Sequence, residues 1–323
     1  MKTLKFISGV VSGVLLLEVA IRLISPVIGP PQTSWQIQQQ AKIIKIRERP
    51  ADLGPIDLVI MGDSTGKDGV DPEILDANIR EGFHSFNASL NSSTSYTIMK
   101  QFREILPYAR PKYLLIILGP GTSRSSDLDQ SVQTYDEAAK VATFSGIKGG
   151  LNRNLYLYRY RNNIRDPFIV NTLYRTIRYQ SLREGVVYRN VDTMKQNGDS
   201  IFPRTLAANA SGRWEKPSKE PLLQDSEYPK ATLQHLLAIQ NDCKKEGVEM
   251  ILSTVPTSSY NPIYRGLVSD MAKALNVYLI QGNDATRDLS DFSDGVHLNA
   301  LGAEKYSKFL GKQISSRIGR STN

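Results

Sequence analysis

Cysteine, histidine and tryptophan are scarce in this chain of 323 residues, which has one Cys, three His and two Trp. The lone Cys243 excludes an intramolecular disulfide and a cysteine-rich metal centre, and its place in an amphipathic stretch makes it an apolar filler. His84, His235 and His297 leave no stock for a multi-histidine zinc site, and they are the whole supply of imidazole bases. Internal repeats and long low-complexity tracts are absent as well. With 40% hydrophobic residues the chain can bury one large α/β domain or two small ones, and global disorder is excluded. Acidic residues fall short of basic ones, leaving a formal charge of +8 that favours acidic partners such as anionic polysaccharide, a phospholipid surface or nucleic acid.

Long apolar runs are limited to one. After Lys2 and Lys5 the chain from Phe6 to Ile28 is mostly Val, Leu, Ile, Gly and Ala, about the ~20 residues that span a bilayer. Residues 1–31 therefore read as an N-terminal membrane anchor. The basic flank puts the N-terminus in the cytoplasm and the rest of the chain on the periplasmic or extracellular side, where nucleic acid is not an expected partner. A cleaved signal peptide is the alternative, against which stands the lack of a small-x-small cleavage pattern. Glu18 and Arg22 share one helix face and can neutralise each other; a contact with another membrane protein is the second reading. Residues 32–54 are polar, with Ile37, Ala41, Ile44 and Ile46 at weak helical spacing, and read as a stalk.

The domain is expected over 55–323. Ile56 to Met61 suits a buried parallel strand, and Asp71-Pro72 an N-cap with proline at the first helical position. Strands follow at 84–88, 112–118, 248–255 and 277–280, and helices at 95–106, 230–246, 264–275 and 300–314. Strand and helix alternate, which implies a parallel sheet covered on both faces. The stretch of about 127–226 breaks the rhythm and reads as a helical insertion.

Two short blocks carry the chemistry. In Leu58-Val-Ile-Met-Gly-Asp-Ser-Thr-Gly66, Ser64 lies just past the first strand, where open parallel sheets position ligands. In Phe292-Ser-Asp-Gly-Val-His297 a carboxylate precedes an imidazole by three residues, in a loop leading to the last helix. The spacing from Gly62 to Lys67 is too short for a phosphate loop, and Asp68 follows the lysine where Ser or Thr is required. The sequons at Asn87, Asn91 and Asn209 are best read as chance. His235 sits on a helical pattern as a packing residue and His84 opens a strand.

A GDS after the first strand with a late DGVH resembles the SGNH/GDSL hydrolases. The resemblance covers about 56–314 without the insertion. It implies a three-layer α/β/α, flavodoxin-like parallel sheet, with Ser64 as nucleophile, His297 as its base and Asp294 holding the imidazole. It implies further an oxyanion hole from the serine N–H, a glycine N–H in a second block and an asparagine side chain in a third. Ser92 stands at the glycine position, keeping a backbone N–H. In the third block Gly121 or Thr122 replaces the asparagine, and Thr122, Ser123 or Asn91 could substitute as donor.

The missing donor leaves open a divergent hole, a slow acyltransferase, or a protein that binds without catalysing. Arg159 and Arg161 lie in a stretch of interleaved Tyr and Arg suited to gripping a sugar polymer or its acidic groups, though helical spacing also allows the tyrosines to pack inward. Together these features imply a serine esterase or O-acyltransferase acting on O-acyl groups, acetyl first, of a cell-surface or exported polysaccharide. No metal or organic cofactor is implied. A non-catalytic glycan-binding or assembly component is the alternative.

Overall fold

The computed structural model describes residues 2–28, 34–91, 93–120, 155, 191–200, 204–205, 230–258 and 262–321. The chain divides into two compact units, Met1–Ile37 with Leu128–Asn190, and Gln38–Asp127 with Val191–Asn323.

In the first unit, helix α1 (Lys2–Ile28) occupies the apolar run. Val10, Val11, Val14, Leu15, Leu16, Leu17, Val19 and Leu23 are exposed, whereas Glu18 is buried and paired with Arg22 at 2.8 Å. The helix was expected, and so was the ion pair; the membrane span is not established. Among the described residues no helix is long and apolar enough to cross a membrane, and the Glu18–Arg22 pair interrupts the part of α1 whose side chains are described.

The second unit is a five-stranded, all-parallel sheet: β1 (Leu58–Gly62), β2 (Ser85–Asn87), β3 (Tyr113–Leu118), β4 (Glu249–Thr254) and β5 (Tyr278–Ile280), in the order β2-β1-β3-β4-β5. Because helices cover both faces, the strands need apolar residues in succession rather than in alternation. Leu58–Met61 and Leu114–Leu118 supply them, and all are fully buried.

The helices form two packed groups. In one, α3 (Ser64–Gly69) and α4 (Pro72–Ala77) lie against α8 (Ala300–Ser321); in the other, α5 (Ser95–Ala109) and α7 (Pro262–Leu275) lie against α6 (Lys230–Glu246). This is the expected flavodoxin-like arrangement. As the sequence suggests, Asp71 caps α4, accepting from the N–H groups of Glu73 and Ile74, with Pro72 following. At α5 a Thr94–Thr97 pair makes the reciprocal capping contacts.

One expectation needs correction. Residues 32–54 are not a free stalk. Helix α2 (Ser34–Arg47) belongs from Gln38 onward to the second unit, burying Ala41, Lys42 and Ile46, with Ile46 in the main core. Its weak apolar periodicity understated this, because a lysine takes one of the buried positions. Most of the predicted insertion, about 127–226, lies outside the described residues. Within its described portion, Val191 and Asp192 are helical and Met194 to Ser200 form a tight antiparallel turn. Gly198 sits there at φ +79°, and a Cβ on it would lie 2.5 Å from the Asn87 carbonyl oxygen.

Candidate active site

Ser64 begins α3 immediately beyond the C-terminal end of β1. β1 lies between β2 and β3, at the point where the strand order reverses and open α/β sheets form their crevice. Asp63 turns the chain from strand to helix. Its Oδ1 accepts from the Thr65 N–H at 2.8 Å and the Thr65 hydroxyl at 2.6 Å, so this carboxylate caps the helix that starts with Ser64. Room for the turn comes from Gly119 at the end of β3, where a Cβ would lie 2.5 Å from Asp63 Oδ2 and 2.9 Å from Thr65 Oγ1.

The second half of the site comes from the opposite end of the chain. Residues 291–299 form a narrow turn closed by the Phe292–Leu298 bridge and by the Ser293 N–H donating to the His297 carbonyl. At its tip Asp294 Oδ1 accepts the N–H groups of Val296 (2.9 Å) and His297 (2.8 Å). Asp294 Oδ2 lies 2.8 Å from His297 Nδ1, and His297 Nε2 lies 2.8 Å from Ser64 Oγ. With Nδ1 carrying the proton toward the carboxylate, Nε2 has its lone pair aimed at the serine hydroxyl.

Partial burial works to raise the Asp294 pKa, but the two N–H donors and the His297 ring outweigh it and hold the carboxyl below its ordinary 3.8. The arrangement opens to solvent, with side-chain exposures of 28% for His297 and 56% for Asp294. A substrate can therefore reach the pair.

Of the other predicted site residues, Asn91 is described. Its N–H donates to Gln38 Oε1 and its Oδ1 accepts from Lys67 Nζ, both at 3.3 Å. Ser92, Gly121, Thr122, Ser123, Arg159 and Arg161 lie outside the described residues. His235 is buried, with Nδ1 2.9 Å from Ser95 Oγ and its ring 5.5 Å from that of Tyr96, a packing role as expected. Cys243 is a core residue whose thiol burial pushes up to about 12. Among the described residues no three His, Cys, Asp or Glu side chains are grouped to hold a metal ion.

Sequence reasoning missed the groups that hold α3 in place. Asn87 and Arg204 bond to its C-terminal carbonyls, and Lys42 bonds to the carbonyls of Asn87 and Gly198. Each bond joins positions at least twenty residues apart, so no local motif announces it.

No protein-family model matches the chain, and no curated protein sequence matches it. Solved structures do. A candidate acylhydrolase from Bacteroides fragilis is similar at 12% identity over 89% of this chain and 99% of that one, with a TM-score of 0.42. A GDSL-like lipase from Bacteroides thetaiotaomicron is similar at 11% identity over 87% and 99%, with a TM-score of 0.41. An acetylxylan esterase from Geobacillus stearothermophilus, in a catalytic-mutant form, is similar at 13% identity over 80% and 93%, with a TM-score of 0.39.

Proposed function

We propose that this chain is a serine ester hydrolase of the SGNH type. The observation that carries the reading is the unbroken line from Ser64 Oγ through the His297 ring to Asp294, with 2.8 Å at each link. A serine hydroxyl is a weak nucleophile at neutral pH and requires a base within hydrogen-bond reach, itself oriented by a third group. His297 Nε2 takes the Ser64 proton as Oγ attacks the ester carbonyl, and returns it to the leaving alcohol. Water then enters by the same route and releases the acid. Asp294 fixes the imidazole tautomer and stabilises the imidazolium that forms. The Ser64 N–H, in the first turn of α3 where amides have no intrahelical partner, is one donor for the developing oxyanion.

The substrate of this reading is an O-acylated, acetyl-bearing carbohydrate polymer outside the cytoplasm. Its support is the net positive charge, suited to acidic polymers, and the exposed Val and Leu side chains of α1, which a bilayer would cover. The domain then sits on the periplasmic or extracellular side, tethered through residues 6–28. Retention of the full chain in alkali-washed membranes is expected, and a soluble mature protein with a new N-terminus near Gly29 would argue for cleavage instead.

A fluorophosphonate probe tests the chemistry directly. Covalent labelling of Ser64 in the folded wild type, together with turnover of an activated acetyl ester, is the expected result. A folded wild type inert toward both leaves the glycan-binding alternative.

A further inference from the structure

Helix α3, which starts with Ser64, has only six residues, too few to persist by its own hydrogen bonds. The last carbonyls of any helix lack intrahelical donors and must find them elsewhere. In α3 they find two side chains. The Asn87 Nδ2 group donates to the carbonyls of Gly66 (3.2 Å), Lys67 (3.3 Å) and Val70 (3.1 Å). Arg204 donates to those of Asp68 and Val70, both at 2.9 Å.

Asn87 also reaches the other side of the site. Its Oδ1 accepts the Ser89 N–H at 3.1 Å, at the start of the loop that runs from β2 through Asn91. Its own N–H donates to the Asn197 carbonyl at 2.8 Å, and its carbonyl accepts from Lys42 Nζ. The residue is 1% exposed, and all of its polar groups are bonded. Any rotation of its amide would break bonds to both α3 and the 88–91 loop at once.

From this geometry we infer that Asn87 is a positioning residue for the reaction: it locks the helix carrying Ser64 to the loop after β2, so that nucleophile and loop keep one mutual placement. The inference rests on the serine-hydrolase reading above. Aspartate has the same shape but, when ionised, sets an oxygen against three carbonyls; when protonated, it regains one donor. A buried carboxylate in such surroundings takes up a proton above its usual range.

The test compares wild type, Asn87→Ala, Asn87→Asp and a control, Gln240→Ala, which removes a buried bond to the Leu275 carbonyl far from α3. Turnover of an activated acetyl ester, fluorophosphonate labelling rate and thermal melting are measured on the full chain. Both Asn87 variants should lose at least about tenfold in kcat and in labelling rate, with KM changed less than about threefold, a split that marks loss of transition-state rather than ground-state interactions. Gln240→Ala should melt earlier with kcat kept. The ratio of Asn87→Asp to wild-type kcat should rise as pH falls.

A folded Asn87→Ala with wild-type kcat and labelling rate overturns the inference while leaving the hydrolase reading intact. Should Asn87→Ala not fold, a pH-independent ratio for Asn87→Asp overturns it instead. A wild type inert toward ester and probe overturns both readings together.

Discussion

At the scale of single residues, the proposed reaction rests on three side chains joined in one line, Ser64, His297 and Asp294, which would act as a unit. Ser64→Ala and His297→Ala should each remove nearly all ester turnover, and the double variant should be hardly worse than either, because neither group has a function without the other. Asp294→Asn should retain the fold and lose on the order of 1000- to 10000-fold in kcat, since an amide at this position favours the wrong imidazole tautomer. Kinetics on purified, melting-checked variants decide the matter; full additivity of the Ser64 and His297 losses would contradict a shared proton path. Asp294 also has a pH signature. Its folded pKa is depressed, so its stabilising contribution is present above 3.8 and disappears as pH falls through the lower folded value. These three residues were legible in the sequence because GDS and DGVH are compact. Asn87 and Arg204 were not, because an amide or guanidinium that bonds distant backbone carbonyls can come from any part of the chain.

At the scale of elements, strands and helices were legible wherever apolar runs alternated with amphipathic ones. The expected helix at 230–246 matches α6 end to end, and the five expected strands match within two residues. Two ends differ for physical reasons. The helix expected to end at Leu106 continues to Ala109 with Pro107 inside its last turn, which leaves one i→i−4 bond unmade near the helix end, and Arg110 ends it at φ 41°. The last helix runs to Ser321 rather than 314, its continuation supported by Arg317 pairing with Glu249 at 2.9 Å and by buried Ile318.

Between α4 and β2 lies an element contact with a pH dependence. Asp76 on α4 accepts the Ser85 N–H at 3.0 Å, while its Oδ1 is buried without a partner. Burial, opposed by the bonds from Ser85 and aided by the charge of Asp57, pushes its pKa up to about 6. A carboxyl whose folded pKa is raised binds protons more tightly when folded, so stability contributed here falls as pH rises from about 4 to about 6. Asp76→Asn should flatten the dependence of urea midpoint on pH in that window relative to wild type. Parallel curves for the two proteins would show that Asp76 titrates normally.

At the scale of the whole molecule, the boundary that the sequence suggests for the enzyme is not the one the packing gives. Polarity made residues 32–54 read as a stalk leading into a domain that begins near Pro55. Helix α2 nevertheless buries Ala41 and Ile46 against the domain, joins Gln39 Nε2 to Glu104 Oε2 at 2.6 Å, and sets the Gln38 amide oxygen on the Asn91 N–H. Lys42 reaches the Asn87 and Gly198 carbonyls from the same helix. Burial, with the nearby charge of Lys67, brings its amine down to about 7. An amine that has lost its proton still carries two N–H groups, enough for both carbonyls. Loss of α2 would thus uncover core side chains, each worth roughly 1.5–3 kcal/mol for a residue of the size of Ile46, and would release the loop that Asn87 holds beside Ser64. A fragment of residues 34–323 should therefore melt cooperatively and hydrolyse an activated acetyl ester, whereas 55–323 should melt at least several degrees lower and lose most of its turnover. Equal melting temperatures and equal kcat for the two fragments would return α2 to the role of a tether.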